Sequence, residues 1–230
     1  MNRLLQIFRI KDLRLKIFIV VGLLIAFRLL AAIPIPGVDA DRLRNFFGSN
    51  QLLGFLNLFS GGGLSNLSVA MLGVGPYITA TIVMQLLTII FPKFKQMYYE
   101  EGARGQAKFN QYSRMLAVPF AVLQSYGFLS ILASQGVIDK LPLFATLTNV
   151  LAITTGSMIT LWLGELITEQ KIGNGISLII LAGIVAGLPS QVALAFASYT
   201  PGLLPTYLGF LVVGLFVIAG VVYLNEGERK

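Results

Sequence analysis

The chain has 230 residues, of which 56% are hydrophobic and only 12% are charged, whereas soluble domains carry about 25% charged residues, so the composition indicates a polytopic membrane protein. It contains no cysteine and no histidine, which excludes disulfides, thiolate nucleophiles, Cys/His zinc sites and imidazole bases. The formal net charge of +7 could suit nucleic acid, but bases that flank apolar runs are more typical of membrane topology signals, so we expect no direct nucleic-acid readout.

Six apolar segments approach the length of about 20 residues that a membrane-spanning helix needs. No small-residue cleavage site follows the first of them, which favours a retained helix over a signal peptide. The six predicted spans are Ile17–Ile33, Val69–Phe91, Met115–Ala133, Leu147–Ile167, Ile176–Phe196 and Leu203–Leu224.

The distribution of Lys and Arg predicts the orientation, because cytoplasmic segments carry an excess of these residues. Thirteen of the 17 lie before the first span, between the second and third, between the fourth and fifth, or in the tail. The other side has Arg42, Arg44 and Lys140, and Arg28 lies within the first span. We therefore predict that the amino and carboxyl ends are cytoplasmic and that the basic Lys93–Arg114 connection faces the cytoplasm.

The stretch Phe55–Ser68, "FLNLFSGGGLSNLS", is too short and too polar to span a membrane. Fourteen helical residues would rise only about 21 Å against a hydrocarbon core of about 30 Å. Irregular backbone at membrane depth is tolerated where protein buries it or where it lines a watery cavity. The pattern predicts a re-entrant half-helix that dips into a cavity from outside; an interfacial loop on the outer surface is the alternative.

Two glycine-rich motifs, "GVG" and "KIGNG", do not complete a phosphate-binding pattern. "IGNGIS" is better interpreted as the start of the fifth span, with Asn174 as its N-cap. We find no catalytic constellation, metal site or cofactor motif, and we expect no enzyme.

Several long motifs occur in one order along the chain, and together they resemble the SecY family, the channel subunits of the bacterial Sec protein translocase. The resemblance extends from about Leu15 to Lys230. It rests on "IPIPG" after the first span, "LNLFSGGGLS", "LGVGPYITATIVMQLL", "GQAKFNQYSR" and "WLGELITEQKIGNGISLIILAGIVAGLP".

The resemblance implies an all-α, SecY-type helical bundle, in which ten spanning helices form two halves related as an inverted repeat around a central pore. Residues 1–197 would be the amino-terminal half, 198–205 the hinge, and 206–230 the first helix of the second half. The sequence stops at "YLNEGERK", where the family continues. We expect either a fragment or a channel whose other half comes from elsewhere.

The resemblance also implies three functional elements. Phe55–Ala70 would be the plug, a short helix that seals the pore from outside. The second and third spans would form one side of the lateral gate, although Thr79 and Gln85 could equally make ordinary interhelical hydrogen bonds. The implied plug residues are Phe59, Ser60, Gly61, Gly62, Gly63, Leu64, Ser65, Asn66 and Leu67, and the implied gate residues are Thr79, Ile82, Val83 and Gln124.

The third element is an apolar pore ring formed by Val74 and Ile78 on the second span and by Ile176 and Ile180 on the fifth. Each pair is spaced i, i+4, which places both members on one helical face. An apolar constriction resists ions by dewetting and can still yield to an unfolded chain. A packing or lipid contact is the ordinary role of such residues, and only the motif favours the ring.

The function that the resemblance implies is a passive protein-conducting channel. It would move unfolded preproteins across the bacterial cytoplasmic membrane and release membrane segments sideways into the lipid bilayer, with a plastid thylakoid as the alternative location. Expected partners are SecE, SecG, the motor ATPase SecA, the ribosome and signal sequences.

Two other functions remain open from the residues. A secondary transporter also uses inverted repeats and broken helices, but apart from Arg28 the charges here lie at the ends of the predicted spans, which disfavours ion coupling. A non-conducting insertion factor that handles only membrane segments is the third hypothesis.

Overall fold

The computed structural model describes residues 11–35, 67–138, 142–197, 202 and 204–226. Among these residues the only regular elements are helices, and one isolated bridge pairs Pro34 with Ser68. The predicted all-α polytopic membrane protein is confirmed. The helices are α1 (Lys11–Ala32), α2 (Gly75–Ile90), α3 (Pro92–Tyr99), α4 (Gly102–Ser134), α5 (Leu143–Glu169), α6 (Gly175–Ala197) and α7 (Leu204–Glu226).

Four helices in the described ranges are long and apolar enough to cross a membrane: α1, α4, α5 and the Tyr207–Leu224 part of α7. A fifth span is possible if α2 and α3, which meet at an angle of 112°, are counted together. α6 contributes a shorter apolar stretch, Gly175–Pro189. The first, fourth, fifth and sixth predicted spans overlap α1, α5, α6 and α7 along most of their lengths.

The second predicted span began at Val69, and this start is wrong because α2 begins at Gly75. Residues 67–74 form turns and the bridge instead. Gly73 has a φ of +51°, a left-handed conformation that glycine adopts readily. This conformation prevents α2 from extending as a regular helix back to Val69. Pro76 lies in the first turn of α2, where its missing N–H is tolerated.

The basic connection between the second and third predicted spans is largely helical rather than a loop. α4 begins at Gly102, thirteen residues before the predicted Met115, and the short α3 precedes it. α3 packs on α4 through its aromatic residues: Phe94 meets Tyr112 edge to face, and Tyr98 lies 4.7 Å from Phe109 between ring centroids. Apolar length alone does not predict α3 or the first turns of α4, because the exposed faces of these helical segments are charged.

The chain divides into two compact units at Gly187 and Leu188. Its described residues form three apolar clusters in the first unit: one around Met71, Leu132 and Ile153, one around Phe27, Val74 and Ile179, and one around Met84 and Phe109. The second unit contains the end of α6 and all of α7. Within it, the apolar side chains of the Tyr207–Leu224 window are exposed, as expected for a helix whose surroundings are a membrane. The predicted hinge 198–205 lies largely outside the described residues.

Candidate functional site

One apolar cluster in the first unit joins α1, α2, α5 and α6. Its buried members come from α1, from the N-cap of α2, from α5 and from α6, and further aliphatic side chains pack around them. The structure brings together in this cluster all four residues that the family resemblance assigns to the pore ring. Those four are Val74, Ile78, Ile176 and Ile180.

The four side chains differ in burial. Val74 is only 1% exposed, so it is fixed by packing. Ile78, Ile176 and Ile180 are half-buried and are therefore able to line an opening. Although Val74 precedes α2, its carbonyl accepts the N–H of Ile78 at 3.1 Å, so the i, i+4 relationship between the two holds.

The segment before α2 is fixed by backbone and side-chain hydrogen bonds. The N–H of Ile35 donates to the Leu67 carbonyl at 2.9 Å, and the N–H of Val69 donates to the Ile33 carbonyl at 3.0 Å. Leu67, the last implied plug residue, is buried with a φ of +38°. It begins a run of turns and bridge through Ala70, where the predicted plug helix was expected to end. The other implied plug residues, Phe59 to Asn66, lie outside the described residues.

The start of α6 is fixed by its N-cap. The side-chain oxygen of Asn174 accepts the N–H groups of Ile176 at 3.0 Å and of Ser177 at 3.2 Å. This arrangement satisfies two of the helix's unpaired donors and confirms the predicted N-cap. Ile176, which the resemblance assigns to the ring, thus lies in the capped first turn.

Two of the implied gate residues are joined directly. The side-chain amide of Gln124 on α4 donates to the hydroxyl oxygen of Thr79 on α2 at 3.3 Å. The Thr79 hydroxyl in turn donates to the Gly75 carbonyl at 3.1 Å. The structure does not bring Ile82 into this contact: its side chain is 51% exposed, and Val83 is half-buried.

A polar cleft of about 460 Å³ lies beside the cluster, with Ile176 in its wall. An ion pair crosses it, because the guanidinium of Arg114 on α4 lies 3.0 Å from the carboxylate of Glu165 on α5. Both side chains are partly exposed, so water screens the pair and its contribution to stability is small. The other lining residues are Tyr77, Asn110, Thr168, Glu169 and Asn174.

The sequence interpretation missed this pair. Arg114 was counted only as a topology signal, and Glu165 was not considered as its partner. The available signal was that the third predicted span begins, and the fourth ends, next to opposite charges on the same predicted side of the membrane.

A sequence model of the SecY family matches residues 68–230. The chain belongs to the SecY family. It is 39% identical over 229 residues to the protein translocase subunit SecY of Synechocystis sp., an alignment that covers 98% of this chain and 52% of that protein. With the SecY of Pyropia yezoensis it shares 43% identity over 221 residues, covering 95% of this chain and 53% of the other.

A third relative, the protein translocase subunit SecY of Pseudomonas aeruginosa, is 40% identical over 211 residues, which is 90% of this chain and 48% of that protein. These matches confirm the resemblance that the motifs indicated. The chain spans about half the length of the curated SecY relatives it matches.

Proposed function

We propose that this chain forms part of a passive protein-conducting channel in the cytoplasmic membrane. The observation that carries the proposal is the convergence of Val74, Ile78, Ile176 and Ile180 in one apolar cluster. The relatives' name, protein translocase subunit, supports the same function.

The physical basis is the behaviour of water at an apolar constriction. Branched aliphatic side chains offer no partner to a hydrated ion, so a narrow ring of them dewets and raises the barrier to ions. Ile78, Ile176 and Ile180 are half-buried, whereas Val74 is fully buried in the same cluster. In the proposed ring, Val74 is thus held by packing, and the three half-buried isoleucines are the side chains that would yield to an unfolded polypeptide.

The gate residues suit the second part of the function, the sideways release of membrane segments into lipid. Thr79 and Gln124 tie α2 to α4, so these helices would move together as one side of the lateral gate. We further propose that signal sequences and unfolded preproteins contact this side, that Phe59 to Leu67 act as the plug, and that SecE, SecG, SecA and the ribosome are the partners.

The proposed constriction predicts that polar substitutions in the ring make the resting channel leak. Ile78→Ser and Ile180→Ser should raise ion flux several-fold through the assembled translocase containing this chain, measured in proteoliposomes without a substrate. Ile25→Ser on α1 is the matched control, because Ile25 is an exposed apolar side chain outside the ring. Unchanged flux in both ring variants would contradict the proposed function, and solute uptake by the same vesicles would favour a transporter.

A further inference from the structure

Two residues of the proposed ring directly follow a backbone group that α5 holds by a side-chain hydroxyl. At the first of them, the hydroxyl of Ser157 donates to the Gly73 carbonyl at 2.7 Å, and the next residue is Val74. Ser157 is 1% exposed, so water cannot replace this bond. A side chain at the neighbouring Gly156 would collide with the backbone of Val69, which shows how closely α5 approaches this segment.

At the second contact, the N–H of Gly175 donates to the hydroxyl oxygen of Thr168 at 2.9 Å, and the next residue is Ile176. The Thr168 hydroxyl itself donates to the Gly164 carbonyl of its own helix at 2.9 Å, so the hydroxyl is oriented to accept. A Cβ at Gly175 would collide with that same Gly164 carbonyl. The start of α6 is therefore in direct contact with α5.

We propose that Ser157 and Thr168 are positioning residues for the constriction. Through their hydroxyl groups, α5 fixes the backbone next to Val74 and Ile176. Neither residue lines the ring itself. This proposal rests on the assignment of Val74 and Ile176 to the constriction. The two contacts are eleven residues apart on α5, about 16 Å along its axis, so each should act on its own ring residue.

The contacts should differ in strength. The Ser157 bond is buried, and Ser157→Ala would remove a hydrogen bond from the Gly73 carbonyl in an enclosed site, which is the costly case. Thr168 is exposed and lines the polar cleft, so water can replace part of its bond. We therefore expect a larger effect at Ser157 than at Thr168.

Thiol labelling of ring positions tests the proposal. The chain has no native cysteine, so Val74→Cys or Ile176→Cys introduces its only thiol. The assembled translocase is purified by size exclusion and reconstituted into proteoliposomes, and its labelling rate with a small water-soluble maleimide is then measured. The rate is expressed per folded molecule, so that a lower yield of a variant does not affect it. Ser157→Ala should raise the rate at position 74 about two- to tenfold, the population change expected for one hydrogen bond.

The effects should be specific to each contact. Thr168→Val should raise labelling at position 176 by a smaller factor and leave position 74 unchanged, and Thr168→Ser, which keeps the hydroxyl, should restore the original rate. Thr160→Val is the matched control, because the buried Thr160 hydroxyl donates to the Gly156 carbonyl of its own helix rather than to the segments before α2 and α6 that the structure describes. It should leave both rates unchanged.

Unchanged labelling at position 74 in Ser157→Ala, or an equal rise in Thr160→Val, would overturn the proposal. The ion-flux measurement on Ile78→Ser and Ile180→Ser separates this failure from failure of the proposed function. A flux that rises in those variants while labelling does not respond to Ser157 leaves the channel standing and removes the positioning role.

Discussion

The side-chain amide of Gln124 on α4 donates a hydrogen bond of 3.3 Å to the hydroxyl oxygen of Thr79 on α2. The Thr79 hydroxyl donates its proton to the Gly75 carbonyl, so its oxygen can accept a hydrogen bond from the neighbouring helix. The contact lies one residue after the proposed ring residue Ile78. The proposed gate contact and the proposed constriction therefore share one turn of α2.

We expect the Thr79 and Gln124 side chains to be energetically coupled. Interhelical hydrogen bonds in membranes contribute about 0.6 kcal/mol on average, so a double-mutant cycle of Thr79→Val and Gln124→Leu should give a coupling energy of that order. The measurement is reversible unfolding of the purified protein in detergent. Gln85→Leu is the control partner, since the Gln85 side chain on α2 is exposed; a coupling with Thr79 as large as that of Gln124 would contradict the assignment.

Two glycines of α4 should respond oppositely to alanine. A Cβ at the buried Gly105 would collide with the Met97 carbonyl of α3, so Gly105→Ala should force α3 away and lower the free energy of unfolding by about 1–3 kcal/mol. Gly127 on the same helix has nothing within 4 Å of its Cβ position, and Gly127→Ala should be neutral or stabilising by about 0.5–1 kcal/mol. Thermal unfolding compares them, and equal effects would show that α3 does not pack against α4 in this way.

The turn between α3 and α4 should be accessible only from the cytoplasm. Glu100 and Glu101 are exposed there, between the two helices, and the predicted orientation places them inside the cell. A glutamate-specific protease should cut at this turn in inside-out vesicles and leave it intact in right-side-out vesicles. Cleavage in sealed right-side-out vesicles would reverse the predicted topology.

Apolar length alone predicted where most helices lie, because a helix that lies in lipid is apolar along its own sequence. α5 and α6 were found from their own residues, and the Asn174 cap was visible from the "IGNGIS" pattern. The residues of the proposed ring could be named only through the family motifs, since isoleucine in a membrane helix is ordinary. Their convergence in one cluster is information that only the fold contains.

The start of α2 could not be predicted because distant residues determine it. The turn before α2 depends on Ser157, which is 84 residues from Gly73 along the chain, and on the pairing of Leu67 with Ile35. The eight residues of α3 were missed for a different reason. A helix this short gives little periodic signal, and tertiary packing against α4 supplies most of its stability.

The central claim is that a polypeptide passes through the constriction, and site-specific crosslinking tests it most directly. A photoreactive amino acid at position 78 should crosslink to a secretory precursor arrested in the assembled translocase, and the same probe at position 25 on the exposed face of α1 should not. Efficient arrest without a crosslink at position 78, or equal crosslinking at both positions, would contradict the account.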